Sequence, residues 1–333
     1  MTAGRGISAV AAVLVTTAAS AVFAQKSDVG ISPQARKCID SGLACLARTQ
    51  NENGSWDTAS YGAPTAVAAL AGLAFMSDGH VPGRGKYGGN VSRALDYVLA
   101  SAQPSGLLEY GSPHHAMYSQ GFSTLFLAEA WGMAERADLK DKLKNAVDLI
   151  VRTQNREGGW RYEPKVADAD ISVTVCQIAA LSAAANAGIA VPRETVDNAV
   201  EYLGRCARPD GGFSYQAGSG ESGYPRSGGA LFCYALTGNS KASQALRSIG
   251  YLLNNRNYRG RFYFYGQYYS AQAIHLAAPE RWPDWYSFIA NALAAKQAKD
   301  GSWSGEGEEK AECTAMAVLV LTIPNGYLPL YQR

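Results

Sequence analysis

The sequence predicts an all-α protein, a closed ring of about six helical hairpins, and three observations point to it. A short motif recurs six times, apolar stretches of helical length lie between the copies, and the chain has the length of one closed ring. The motif is Gln, three residues, Gly, one residue, Trp. It is complete at Gln50, Gly54 and Trp56, at Gln154, Gly158 and Trp160, and at Gln297, Gly301 and Trp303. Weaker copies close on Leu108 after Gln103 and Gly106, on Phe213 after Arg208 and Gly211, and on Phe262 after Asn257 and Gly260. The closing positions 56, 108, 160, 213, 262 and 303 are 52, 52, 53, 49 and 41 residues apart, which makes six units.

Each unit has room for two helices. Before a motif the pattern is amphipathic: Val91, Leu95, Val98, Leu99 and Ala102 share one helical face, as do Leu139, Leu143, Ala146, Val147 and Ile150, while Lys140, Lys142, Lys144 and Asp148 fall on the other face. After a motif the stretches 65–76, 122–133, 173–185 and 314–323 are apolar nearly all round, the pattern of a helix with no solvent face. One exposed and one buried helix per unit imply an inner barrel wrapped by an outer ring. The motif has a structural task in this arrangement: its Gln ends the outer helix, its Gly supplies the left-handed residue that stops it, and its aromatic folds back onto the neighbouring unit. An open solenoid is the alternative, but closure leaves no exposed end.

Composition bounds the function. Arg5, the apolar run Ile7–Phe23 and the small residues at Val22 and Ala24 have the form of a secretory signal, so the expected organisation is a signal at 1–24 and the ring at 25–333, exported to the periplasm or beyond the cell. No second run is long enough to span a bilayer, and no membrane span is expected after cleavage. With 30 Lys and Arg against 28 Asp and Glu, the chain lacks the basic excess of a nucleic-acid binder. The six cysteines show no paired zinc spacing, and most are expected to be buried apolar fillers.

The repeats resemble the QW motifs of squalene and oxidosqualene cyclases. The alternation of helices resembles the α/α toroid shared by those cyclases and the β subunits of protein prenyltransferases, over nearly all the chain from about Ser32 to Arg333. Asp168, Ala169, Asp170 and Ile171 resemble the D-x-D-D motif of class II terpene cyclases, whose middle aspartate protonates an alkene or epoxide. The resemblance implies Asp170 as general acid with Asp168 as the first acid, while Ile171 replaces the last. The prenyltransferases' zinc pattern includes an Asp-x-Cys pair, which this chain lacks, so a site from His114 or His115 with Cys313 is not expected; no metal or other cofactor is.

Two readings of the acids stay open. Aspartates at a helix start cap free N–H groups and favour the positive end of its dipole. Against that, Asp170, Thr174 and Gln177 fall at i, i+4 and i+7, a polar stripe expected to face the ring interior and to require a partner there. His115 and Tyr118 precede or begin the second buried helix, Tyr224 the fourth, and Tyr268 and Tyr269 lie in the aromatic start of the fifth. Such rings could line a pocket for an apolar small molecule, or could wedge helices apart. Glu221, Glu309 and Glu312 could pair with Asp170 as glycosidase carboxylates do. The expected function is an exported toroid that binds or transforms an isoprenoid. The alternative is a non-catalytic lipid-binding or protein-interaction ring in the cell envelope.

Overall fold

The computed structural model describes residues 29–59, 64–110 and 115–332. The signal expected at 1–24 and His114 lie outside them. The described residues form twelve α-helices and two short 3-10 turns. The outer helices are α1 (Pro33–Thr49), α3 (Gly88–Ala100), α5 (Leu139–Thr153), α7 (Arg193–Cys206), α9 (Ser243–Asn254) and α11 (Trp282–Lys296). The inner ones are α2 (Thr65–Ser77), α4 (Ala116–Ala130), α6 (Ile171–Asn186), α8 (Tyr224–Leu236), α10 (Tyr263–Ala277) and α12 (Lys310–Thr322). Each inner helix packs against the next, and α12 returns to α2, so the ring is closed.

The motif explains the closure. Gln50, Gln154 and Gln297 each end an outer helix in an extended conformation. The Gln154 side-chain amide donates to Gly158 O and, in the next outer helix, to Thr195 O, both at 2.8 Å. Gln50 does the same with Gly54 and Asn90, and Gln297 with Gly301 and Cys38, the last bond joining the sixth unit to the first. The glycine acts otherwise than expected. The helix has already stopped at the Gln, and Gly158, at φ 85°, makes the turn four residues later, where a Cβ would lie 2.2 Å from the Asn198 carbonyl oxygen. Trp56, Trp160 and Trp303 are fully buried, and each indole N–H donates to a carbonyl ten residues back, on Leu46, Ile150 and Leu293. Phe262 departs from the pattern, being 41% exposed with φ 62°.

Helix α4 begins at Ala116, six residues before the expected Phe122, and Met133 lies beyond its end, after the left-handed Gly132. All six cysteines are buried and unpaired. The far end of the ring, where the inner helices finish, is covered by the C-terminal turn Pro329–Tyr331, whose Leu330 N–H faces the buried Glu129 carboxylate. None of the described helices is long and apolar enough to cross a membrane.

Candidate functional site

The inner helices all start at the same rim, and the site is the mouth they form. Asp170 is the N-cap of α6: one carboxylate oxygen, Oδ1, accepts from the N–H groups of Ser172 (2.9 Å) and Val173 (3.0 Å). Its backbone is clamped from two units, since Asp170 N donates to Trp160 O and Ile171 N to Tyr215 O, each at 3.0 Å. The Ala169 carbonyl accepts from the Tyr202 hydroxyl and the Gln216 amide. The residue is fully buried, and Oδ2 has no hydrogen-bond partner; the closest cation is the Arg161 guanidinium, 3.8 Å away. Burial pushes the carboxyl up from 3.8 to about 6, against the opposing pull of the capped N–H groups, of Arg161 and of the nearby Tyr215 hydroxyl.

Asp168 is a surface residue, its side chain 60% exposed, and it holds Arg161. Arg161 also lies over the rings of Tyr162 and Tyr215, whose hydroxyls are hydrogen-bonded to each other. Tyr118 adjoins Tyr162, with centroids 6.1 Å apart, and the exposed His115 stands edge-on to Tyr162 at 4.7 Å. From across the mouth the Tyr265 hydroxyl donates to Ser172 O at 3.3 Å. The hydroxyls of Tyr118 and Tyr265 are held well above their usual range by burial, then by Tyr265 and Asp170 in the case of Tyr118, and by Cys176 and Asp170 in the case of Tyr265.

The ring therefore brings together Asp170, Asp168, His115 and Tyr118, and adds Arg161, Tyr162, Tyr215 and Tyr265. Their signal was available: the second residue after the closing aromatic is Tyr in both the third and fourth motifs. Thr174 lies on the other side of Asp170. Its hydroxyl donates to Asp170 O and accepts from Trp160 N, just as Thr314 does with Trp303 and Ser227 with Phe213, so it belongs to the repeat rather than to the mouth. Gln177 donates to Met117 O at 2.7 Å and leaves Oε1 without a partner. Tyr224 is buried, stacked on Tyr258 and bonded to Gln267. Tyr268 and Tyr269 lie deeper, where the Tyr268 ring meets Phe122 of α4 across the axis. Glu309 and Glu312 form a capping box on α12, and Glu221 is exposed on the loop before α8. Among the described residues no group of three His, Cys, Asp or Glu side chains could hold a metal ion.

No family model matches the chain. The type II terpene cyclase MstE from Scytonema superposes with a TM-score of 0.63 at 15% identity over 89% of this chain and 98% of that one. The fold is a terpene-cyclase-like α/α toroid. One toroid makes up nearly the whole of that cyclase structure, which was solved with geranylgeranyl dihydroxybenzoate as substrate. The toroid is not confined to cyclases, because the α-1,6-mannanase GH76A of Salegentibacter sp. HEL1_6 superposes with a TM-score of 0.66 at 9% identity over 86% of this chain and 98% of that one. In sequence, drimenyl diphosphate synthases of Streptomyces showdoensis and Streptantibioticus cattleyicolor are 28% and 27% identical over 182 and 183 residues, 54% of this chain. The match spans about a third, 32%, of the length of those relatives.

Proposed function

We propose that the protein protonates a carbon–carbon double bond of an isoprenoid, with Asp170 as the donor at the mouth of the toroid, and that it does so after export. The observation that carries this reading is the state of the Asp170 carboxyl. One oxygen is spent on two backbone N–H groups, the other has no hydrogen-bond partner, and the group keeps its proton up to about pH 6. An alkene is a poor base and offers no lone pair, so its donor must be a neutral acid in a site from which water is largely excluded. The tyrosine rings around the acid support the reading, since π faces pack alkyl groups and stabilise a developing carbocation. The sequence likeness to drimenyl diphosphate synthases and the one-toroid cyclase add support. Export rests on Arg5 and the apolar run Ile7–Phe23.

One observation favours a second reading. Phe122 and Tyr268 fill the axis below the mouth, as suits a non-catalytic ring that offers its rim to a lipid or a protein. Thermal unfolding of the purified protein with squalene and geranylgeraniol tests the isoprenoid binding that the catalytic reading requires. A ligand at a hundred times its Kd stabilises by about 2.7 kcal/mol. Absence of any shift would leave the non-catalytic ring as the better account.

A further inference from the structure

Six helix N-termini converge on one rim, an arrangement that ordinarily attracts anions, because each end presents free N–H groups and the positive pole of its dipole. In this ring the protein's own carboxylates occupy three of the six. Asp170 takes the N–H groups of Ser172 and Val173 on α6, Glu308 takes those of Phe264 (3.1 Å) and Tyr265 (2.6 Å) on α10, and Glu309 with Glu312 closes α12 in a capping box. The charge of the rim points the same way. The connections from outer to inner helices, 50–64, 101–115, 154–170, 207–223, 255–262 and 297–309, carry thirteen Asp and Glu against eight Lys and Arg, an excess of five negative charges. The connections at the opposite rim, 78–87, 131–138, 187–192, 237–242, 278–281 and 323–332, carry four against five. The chain as a whole is +2, so the negative excess is local to the mouth. The cation nearest the acid, Arg161, is already held by Asp168.

From this we infer that the mouth selects an isoprenoid with an uncharged head and turns away a prenyl diphosphate. The inference rests on the isoprenoid reading and specifies its substrate class, in contrast to what the names of the curated relatives suggest. A diphosphate arriving here meets like charge, and beside the acid it finds the N–H groups of α6, α10 and α12 taken, so long-range attraction is lacking and half of the rim's helix ends offer it no cradle to offset its desolvation. A polyprenyl alcohol or hydrocarbon has no such cost.

The test has two arms. Geranylgeraniol and geranylgeranyl diphosphate are titrated against the full chain at low and at high salt. The alcohol is expected to bind at least tenfold more tightly at low salt, with the gap narrowing as salt screens the rim. The double variant Glu221→Lys with Glu306→Lys, two exposed positions away from the acid, is expected to narrow it further. The second arm needs no isoprenoid: cationic and anionic nitroxides are compared for the broadening they cause in the labelled ring signals of Tyr118, Tyr162 and Tyr215. The cationic probe is expected to broaden them more, and salt to remove the difference. Diphosphate binding as tight as the alcohol overturns the inference and leaves the isoprenoid reading standing. If neither isoprenoid binds, that reading falls, and the nitroxides alone judge the anionic mouth, equal broadening overturning it.

Discussion

Phe122 and Tyr268, from inner helices on opposite sides of the ring, meet across its axis with their ring centroids 6.3 Å apart. They are 3% and 2% exposed, so the barrel is packed at this level and any ligand at the mouth would rest above them. Replacing Phe122 by Ala should therefore cost about 3–5 kcal/mol, as deletion of a buried aromatic does when the walls relax only in part. The measurement is the denaturant midpoint at unchanged slope. A Phe122→Ala protein as stable as the parent would mean that the two rings do not fill the axis.

The turn glycines give a controlled comparison. Gly158 and Gly132 have nearly the same φ, 85° and 82°, but a Cβ on Gly158 would lie 2.2 Å from Asn198 O, while none is within 4 Å at Gly132. Gly132→Ala is expected to cost about 1–2 kcal/mol for the left-handed backbone alone. Gly158→Ala should cost clearly more, since it also drives the motif turn away from α7. Equal losses would show that the close approach to Asn198 is not what fixes glycine in the motif.

These positions show how far the sequence could be read. The spacing of the motif and the two helical patterns predicted the ring, because closure uses one repeated device, a Gln, a turn glycine and a Trp, that has to appear in every unit. The mouth was only half legible. Asp170 and Tyr118 stand out by type and place, whereas Arg161, Tyr162 and Tyr215 follow motif aromatics and gain meaning only once neighbouring units bring their loops together. The Thr174 hydroxyl pairs with the preceding turn and with Asp170 O, an arrangement that helical spacing alone, which puts i and i+4 on one face of any helix, does not specify. Phe262 fills a motif position without the burial that the motif confers elsewhere.

Asp170 should make stability depend on pH in an unusual sense. Its folded-state value is raised, from 3.8 to about 6, so the folded protein binds the extra proton and stability falls as pH rises from about 4 to about 6. The loss amounts to about 3 kcal/mol and is complete above that window. Asp170→Asn keeps a side chain able to cap α6 and has no charge to bury. The variant is expected to be more stable than the parent at pH 8 and close to it at pH 4, by thermal or denaturant unfolding. A variant less stable at pH 8 would mean that the ionised carboxylate is well accommodated.

The two charges beside the acid should move its titration in opposite directions. Arg161→Gln removes a cation 3.8 Å from Oδ2 and should raise the midpoint of the acid-dependent step, while Asp168→Asn frees Arg161 from its surface partner and should lower it. The global stability change for Asp168→Asn should be within about 1 kcal/mol, as for other exposed ion pairs. The midpoint is read from carboxyl signals of the labelled protein across pH 4–8, the interval that brackets about 6. Shifts in the same direction for both variants would contradict the arrangement described.

The most direct test is proton transfer itself. Squalene and geranylgeraniol are incubated with the protein in D2O at about pH 5.5, just below the value of about 6 at which Asp170 loses its proton, and the products are examined by mass spectrometry. The account predicts a cyclised product carrying one new carbon-bound deuterium from the parent protein, and none from Asp170→Asn under the same conditions. Deuterated product formed equally well by Asp170→Asn, or no product from the parent with any isoprenoid that binds it, would contradict the account.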